Sequence, residues 1–526
     1  MATKPSSLIR VPVEMPDRSG HNMSHSNTFT GTTGTLIPVL CEELLPNDTV
    51  SLGAAMQVQF PPMVTDFYGK VDFVLEAFFV PNRLCWGGWQ DFITHPTANP
   101  QYPVGTPVQA KPNRVPFIST GEYTTINIAP YSLFSYLDYG DSMVRSYQEN
   151  YSLLPVIAYH RIWDDWYRDS RVQSPLFYRS TEGLSSFPYL SINSYGGTLN
   201  TPFSSEFSDG VKLSSFRQRN WVKDYFTSAS PLPQAGGASE IKLTIPIPES
   251  GSATGAFSIS TLRAANSLQK WMERNNLAGY RYSDQIYAQF GIYPSDAIMD
   301  RPLYLGRHIE TVYNRSVFST VDASSDTGGV LGTKGASSQV LGEGSLVDSF
   351  TASEHGFFMV LASLVPRPVY GTGVERRTRR VEVGDFAFPL LAGMGDQAIK
   401  IFELTGGSGT AELGTFGYTD LYAEYKFRND KIHGLIRDGQ SLESYALQRS
   451  FSPVTPPTIN SAFLQIPIDY LDQVQAVSTS ESGYNYWSEI YWTFKKISTI
   501  PAYSQPTLCD LKHAHTEYIS RGGKRL

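Results

Sequence analysis

The stretch KVDFVLEAFFV, residues 70–80, decides the fold class. Val71, Phe73, Leu75, Ala77 and Phe79 fall on one face of an extended chain, with Lys70, Asp72 and Glu76 on the other. That period of two predicts a strand with one face on a core. Working outward, residues 50–60, 241–247, 309–318 and 421–427 are further strand candidates. Residues 489–495 place Ile490, Trp492 and Phe494 on one face. Residues 357–365 are apolar on both sides, which predicts a strand deep inside a sheet. Strands thus lie towards both ends of the chain.

Between residue 81 and about residue 300 the pattern changes. Residues 154–168 read as a helix, with Pro155 in the first turn where a missing N–H is tolerated. Asp164 and Arg168 stand one helical turn apart on it. A second helix is expected over 262–277 and a short third over 284–290. Residues 1–34 are polar and read as an extended arm. Residues 319–344 are rich in Gly and Ser and read as an exposed loop. A length of 526 residues admits two or three domains, or one domain swollen by insertions. No internal repeat is visible. The reading is a mainly β chain: an arm over 1–34, then one domain over 35–526. That domain has a large, partly helical insertion at about 81–300. Regular βα alternation is absent, which argues against a doubly wound fold and for a two-sheet antiparallel jelly roll.

Charged residues are only 17% of the chain and aromatic residues 13%, where about 25% charged is usual. Low charge with many Tyr and Phe points to large protein contacts. The formal net charge of −7 argues against a chain that grips nucleic acid over its whole surface. Cys41, Cys85 and Cys509 are far apart, with no metal-ligand spacing and no disulfide framework. Residues 1–17 lack the apolar core of a signal peptide, and no apolar run is long enough to span a bilayer. A protein made in a cytoplasm, with no membrane insertion, is expected.

Few motifs suggest chemistry. Residues 393–398 match GxGxxA, but the strand-like run after Ala398 removes the helix that would hold a pyrophosphate. His513 and His515 with Asp510 form no convincing metal site. His160 and Asp164 read as a hydrogen-bonded pair on a helix surface. The Asn-x-Ser triplet at Asn314 matters only in a secreted chain. Asp164 and Asp165 form an acidic pair beside basic partners, a poor glycosidase dyad. No enzyme, cofactor or metal is expected. A carbohydrate-binding β protein is the rival binding class. The basic features are Arg376, Arg377, Arg379 and Arg380, and a tail carrying Lys512, Arg521, Lys524 and Arg525. Four clustered guanidinium groups must face acids, phosphates or water. These eight residues are the candidate nucleic-acid contacts.

Several long blocks, in order along the chain, carry a resemblance. They are GTLIP at 34–38, LPND at 45–48, FFVPNR at 78–83 and WGGWQDFI at 86–93. DYFTS at 224–228 is followed by Pro231, Pro233 and Gln234. Leu262, Arg263, Gln269, Lys270, Glu273 and Arg274 come next, then RPLYLG at 301–306. FGY at 416–418 and AEYK at 423–426 complete the set. Together they resemble the major capsid proteins of the Microviridae, above all the gokushovirus-like branch. The resemblance implies an eight-stranded jelly roll with long inter-strand insertions and no catalytic residues. It implies copies closing, by way of pentamers, into a small T=1 icosahedral shell around circular single-stranded DNA. It further implies a small basic DNA-binding packaging protein, a pilot or minor protein, a host surface receptor, and a virion assembled in the bacterial cytoplasm. Only residues 249–259 stand where many gokushoviruses carry the insertion that builds a threefold protrusion. The prominent protrusion is therefore not expected, and residues 191–209 and 319–344 become the candidate decorations.

Overall fold

A computed structural model describes residues 18–94, most of 115–179, 185–186, 211–233, scattered positions between 267 and 300, and then 301–318, 334–392, 395–406 and 413–502. The expected strand at 241–247, the helices over 262–277 and 284–290, and residues 191–209 and 249–259 lie largely or wholly outside these, as does the tail beyond 502.

Ten strands build two antiparallel sheets: β1 (Ser19–Asn22), β2 (His25–Gly31), β3 (Ile37–Leu44), β4 (Thr49–Gln59), β5 (Val71–Pro81), β6 (Leu303–Thr311), β7 (Tyr313–Phe318), β8 (Lys334–Thr351), β9 (Gly356–Pro366) and β10 (Tyr486–Ser498). One sheet runs β1-β10-β4-β8-β7, with β2 also on β10, and the other runs β6-β5-β9-β3. From β2 onward the chain changes sheet at almost every step, which is the jelly-roll winding. The sheets hold six and four strands.

The core lies between the sheets. Phe73 and Phe358 on one side meet Tyr486, Trp492 and Phe494 on the other. Phe358 stacks on Phe494 with centroids 6.0 Å apart, and Phe73 meets Tyr486 edge-on at 5.8 Å. β5 and β9 pair at the centre of their sheet and are buried on both faces. Phe358, Val360, Ala362 and Leu364 face the sandwich core, while Phe357, Met359 and Leu361 face a second core. A sheet covered on both faces needs such doubly apolar strands.

That second core is made with the excursion between β5 and β6. Helix α1 (Leu154–Ile162) carries Pro155 in its first turn and packs Val156, Ile157 and Ala158 there. It continues as a π-helical turn, Trp163–Tyr167. Arg168 Nε lies 2.7 Å from Asp164 Oδ1, as the one-turn spacing predicts. Glu76, on the supposed polar face of β5, is buried. It accepts from Arg219 Nη1 at 2.6 Å and from Tyr167 Oη at 2.5 Å.

His160 corrects one expectation, because it is fully buried instead of lying on a helix surface with Asp164. Its Nδ1 accepts from Arg217 Nε at 3.0 Å, and its Nε2 lies 3.2 Å from the Leu213 carbonyl. Burial, and then the Arg217 cation, push its pKa well below the usual histidine value. A base with a depressed folded pKa binds more protons when unfolded. Stability is therefore whole above about pH 6.5 and declines below it, by up to ~1.4 kcal/mol per pH unit. Urea melts of unassembled His160→Gln should lack the component of acid sensitivity that begins just below pH 6.5. Equal slopes in the two proteins would exclude this role.

Two boundaries are also corrected. Residues 19–31 are not a free arm: β1 and β2 pair with β10, Ser19 opposite Ser498 and Gly31 opposite Tyr486. Residues 334–344 are not loop but the first half of β8, paired with both β7 and β4. A Cβ on Gly342 would strike Glu310, and one on Gly344 would strike His308. These glycines make room for the side chains of β6, which would have to shift if a Cβ were added. An insertion at Gly335, opposite Val317, would break a ladder. Residues 319–333 lie outside the described positions.

Candidate nucleic-acid interface

A second long excursion, residues 367–485 between β9 and β10, carries the arginine cluster. Sequence reading missed it because its elements are short. Val369–Tyr370 pairs in parallel with Asp430–Lys431, and Asp396–Lys400 pairs with Thr415–Asp420. The strand after residue 395 replaces the dinucleotide-type helix, as the sequence predicts. The expected strand at 421–427 is instead a helical turn, Ala423–Lys426, entered through Tyr422 at φ 62°. Gln397 Oε1 accepts from the Tyr422 N–H at 3.1 Å and fixes that turn.

The two excursions share a third apolar cluster. Tyr225 and Phe226 pack with Tyr370, Ile399, Phe416 and Phe463. Asp224 holds this junction. Its Oδ1 accepts from the backbone N–H of Phe226 and Thr227 at 2.9 and 2.7 Å, and its Oδ2 from Tyr370 Oη at 2.6 Å. The DYFTS block is therefore a structural clasp. Arg83 of FFVPNR does similar work, pairing with Glu354 at 2.9 Å and with Asp300.

Arg376–Arg379 form a 3-10 turn at the rim of a cavity of about 480 Å³. Arg376 donates to the Ala398 carbonyl at 2.9 Å and lies 3.7 Å from Glu403. Arg380 bonds Glu424 and donates to Tyr425 Oη at 2.6 Å. Arg379 sits 4.2 Å from the Phe402 ring centre. Arg377 pairs with Glu375, yet its side chain is 59% exposed. The four are thus not equivalent: Arg376 and Arg380 are built into the fold, while Arg377 and Arg379 reach outward. Lys512, Arg521, Lys524 and Arg525 lie outside the described residues.

Arg376, Arg377, Arg380, Lys426, Arg428 and Lys431 line the cavity against Glu375, Glu403 and Glu424. Six cations against three carboxylates leave a formal excess of three positive charges. The Lys431 ammonium, 2.8 Å away, holds the Glu375 carboxyl below its usual range, with Arg377 and Arg428 adding to it. Burial raises the Glu403 carboxyl, against the opposing pull of the Lys400 N–H and the Arg376 cation. Tyr425 and Phe427 add exposed ring surface, while Tyr225, Phe226 and Tyr370 are the buried floor beneath them. A second cavity, of about 740 Å³, sets Arg449 against Asp438, Asp469 and Asp472, a balance that repels phosphate. Among the described residues, no group of three His, Cys, Asp or Glu side chains could hold a metal ion, and no helix is long and apolar enough to cross a membrane.

Fold and charge alone leave function open. The sequence profile of a family described as "Capsid protein (F protein)" matches residues 10–257 and 247–508, which takes in both sheets and both excursions. The chain belongs to this phage F capsid protein family. It is similar to capsid protein VP1 of Chlamydia phage 1, at 25% identity covering 95% of this chain and 97% of that one. It is also similar to capsid protein VP1 of Bdellovibrio phage phiMH2K, at 23% identity covering 87% and 90%. Capsid protein VP1 of Spiroplasma virus 4 is 26% identical over 49% of this chain and 46% of its own. As a capsid protein the chain is structural and not an enzyme, its partner is itself, and its place is the virion.

Proposed function

We propose that this capsid protein closes into a T=1 shell around circular single-stranded DNA, with the cavity beside Arg377 as one point where the shell meets phosphate. The supporting observation is the concentration of positive charge at this cavity in a chain of net charge −7. Phosphate needs local cations, and exposed rings can stack on unpaired bases. With that net charge the shell does not neutralise a genome alone, so a small basic DNA-binding packaging protein completes the balance. The reading further holds that the basic tail from Lys512 to Arg525 joins these contacts. A pilot or minor protein, a host surface receptor and assembly by way of pentamers in the bacterial cytoplasm belong to the same reading.

The test is salt dependence. Arg377 and Arg428 are exposed, so Arg377→Gln with Arg428→Gln leaves the fold intact. Binding of the subunit to single-stranded oligonucleotide should then show a salt slope shallower by about 1.4, near ~0.7 for each lost phosphate contact. Particles carrying these changes should hold less DNA. An unchanged slope and full DNA content would rule out the cavity as a phosphate contact.

A further inference from the structure

Immediately after the arginines the chain runs VEVGDFAFPLL, residues 381–391, and it presents apolar side chains to solvent. Val381 is 86% exposed, Val383 77% and Leu390 93%, with Phe386 at 49% and Phe388 at 43%. This display is held in place. Asp385 accepts from the N–H groups of Val381 and Glu382 at 2.9 and 3.0 Å. A capping box closes Val383–Asp385, a second turn forms at Pro389–Leu391, and Phe388 N–H donates to Tyr422 Oη at 3.3 Å. A chain that merely strayed outward would have no such internal bonding.

We infer that this strip is a seam between copies of the chain, buried by a second copy in the assembled particle. Six large apolar side chains within eleven residues, Leu391 included, are exposed together, and exposed apolar groups clustered in this way mark a contact site. The two acids in the strip, Glu382 and Asp385, are tied back to backbone N–H groups by the cap. The family's self-assembly supplies the occupant: each chain must bury surface against copies of itself on several sides. The inference rests on shell assembly and not on DNA contact, so it can fail while the phosphate reading stands, and the reverse.

The experiment replaces Val383→Asp and Leu390→Asp together, in full-length protein, and follows assembly by sedimentation velocity and electron microscopy. Both side chains point to solvent, so circular dichroism and melting temperature should match the parent. The expected result is a folded subunit whose self-association is at least tenfold weaker and which yields few or no particles. The milder Leu390→Ala should give an intermediate loss. Hydrogen exchange supplies a second readout, with residues 381–391 protected in parent particles and open in the dissociated subunit. Normal particle yield from the double variant would overturn the inference. So would unprotected exchange in particles, or normal shells that lose only an accessory protein.

Discussion

Glu76→Ala should destabilise the subunit by about 3 kcal/mol, the low end for breaking a buried ion pair, because it leaves a mostly covered arginine without its carboxylate. Arg219 Nη1 donates to Glu76 at 2.6 Å and to Ser363 Oγ at 3.0 Å. Its side chain keeps 19% exposure and lies 5.2 Å from the Tyr167 ring centre, so water replaces the lost carboxylate only in part. Burial lifts the Tyr167 hydroxyl well above the usual tyrosine value, and the Glu76 charge adds to it. The hydroxyl therefore stays protonated and donates to Glu76. Glu76→Gln keeps an acceptor and should cost less. Replacing Glu76 and Arg219 together by Met removes both charges at once and should recover much of the loss, since paired buried ions contribute little net stability. Urea denaturation of unassembled subunits measures all three. A double replacement as damaging as Glu76→Ala would show that packing, not charge, dominates here.

Trp492→Ala should cost about 3–5 kcal/mol. Trp492 is fully buried on the inward face of β10, opposite Ala54 of β4. Small neighbours cannot collapse into the void that the ring would leave. Trp492→Phe sharpens the test. The indole Nε1 has no hydrogen-bond partner, and an unsatisfied buried donor costs about 1–3 kcal/mol. Phe removes that penalty while losing ring volume, so the two effects offset and the net change should stay below ~1.5 kcal/mol. Thermal melts of unassembled subunits separate the two replacements. A Phe variant as unstable as the Ala variant would mean that the ring's volume decides the site.

The strands most legible in the sequence were those with a long, clean period, such as β5 and β10, and the doubly apolar β9. Strand β8 was not legible, because its glycines and serines imitate a loop. What they record is the nearness of His308 and Glu310, a fact about a distant strand. The same holds for β1 and β2, whose polar residues gain a place only through β10. The second excursion was hidden because elements of two to six residues carry no period to read. At the candidate site, the arginine run marked one rim of the positively charged cavity. The sequence could not say that Arg376 and Arg380 are consumed by the fold, nor that Lys426, Arg428 and Lys431 complete the positive wall. Those roles depend on the turn at Tyr422 and the parallel pairing of Tyr370 with Lys431, which join segments far apart in the chain.

The pairing of β1 and β2 with β10 also sets a timetable. Ser19 meets Ser498 and His25 meets Trp492, so the first strands to leave the ribosome pair with the last. At ~5–20 residues per second, β2 waits on the order of half a minute to a minute and a half for its partner. β4 waits as well, since its ladder to β10 spans Trp487 to Ile497. Long-range pairings of this kind make folding slow. They also mean that a partly synthesised chain lacks the strand that joins β1 and β2 to β4. A nascent subunit therefore cannot present a finished surface to its neighbours.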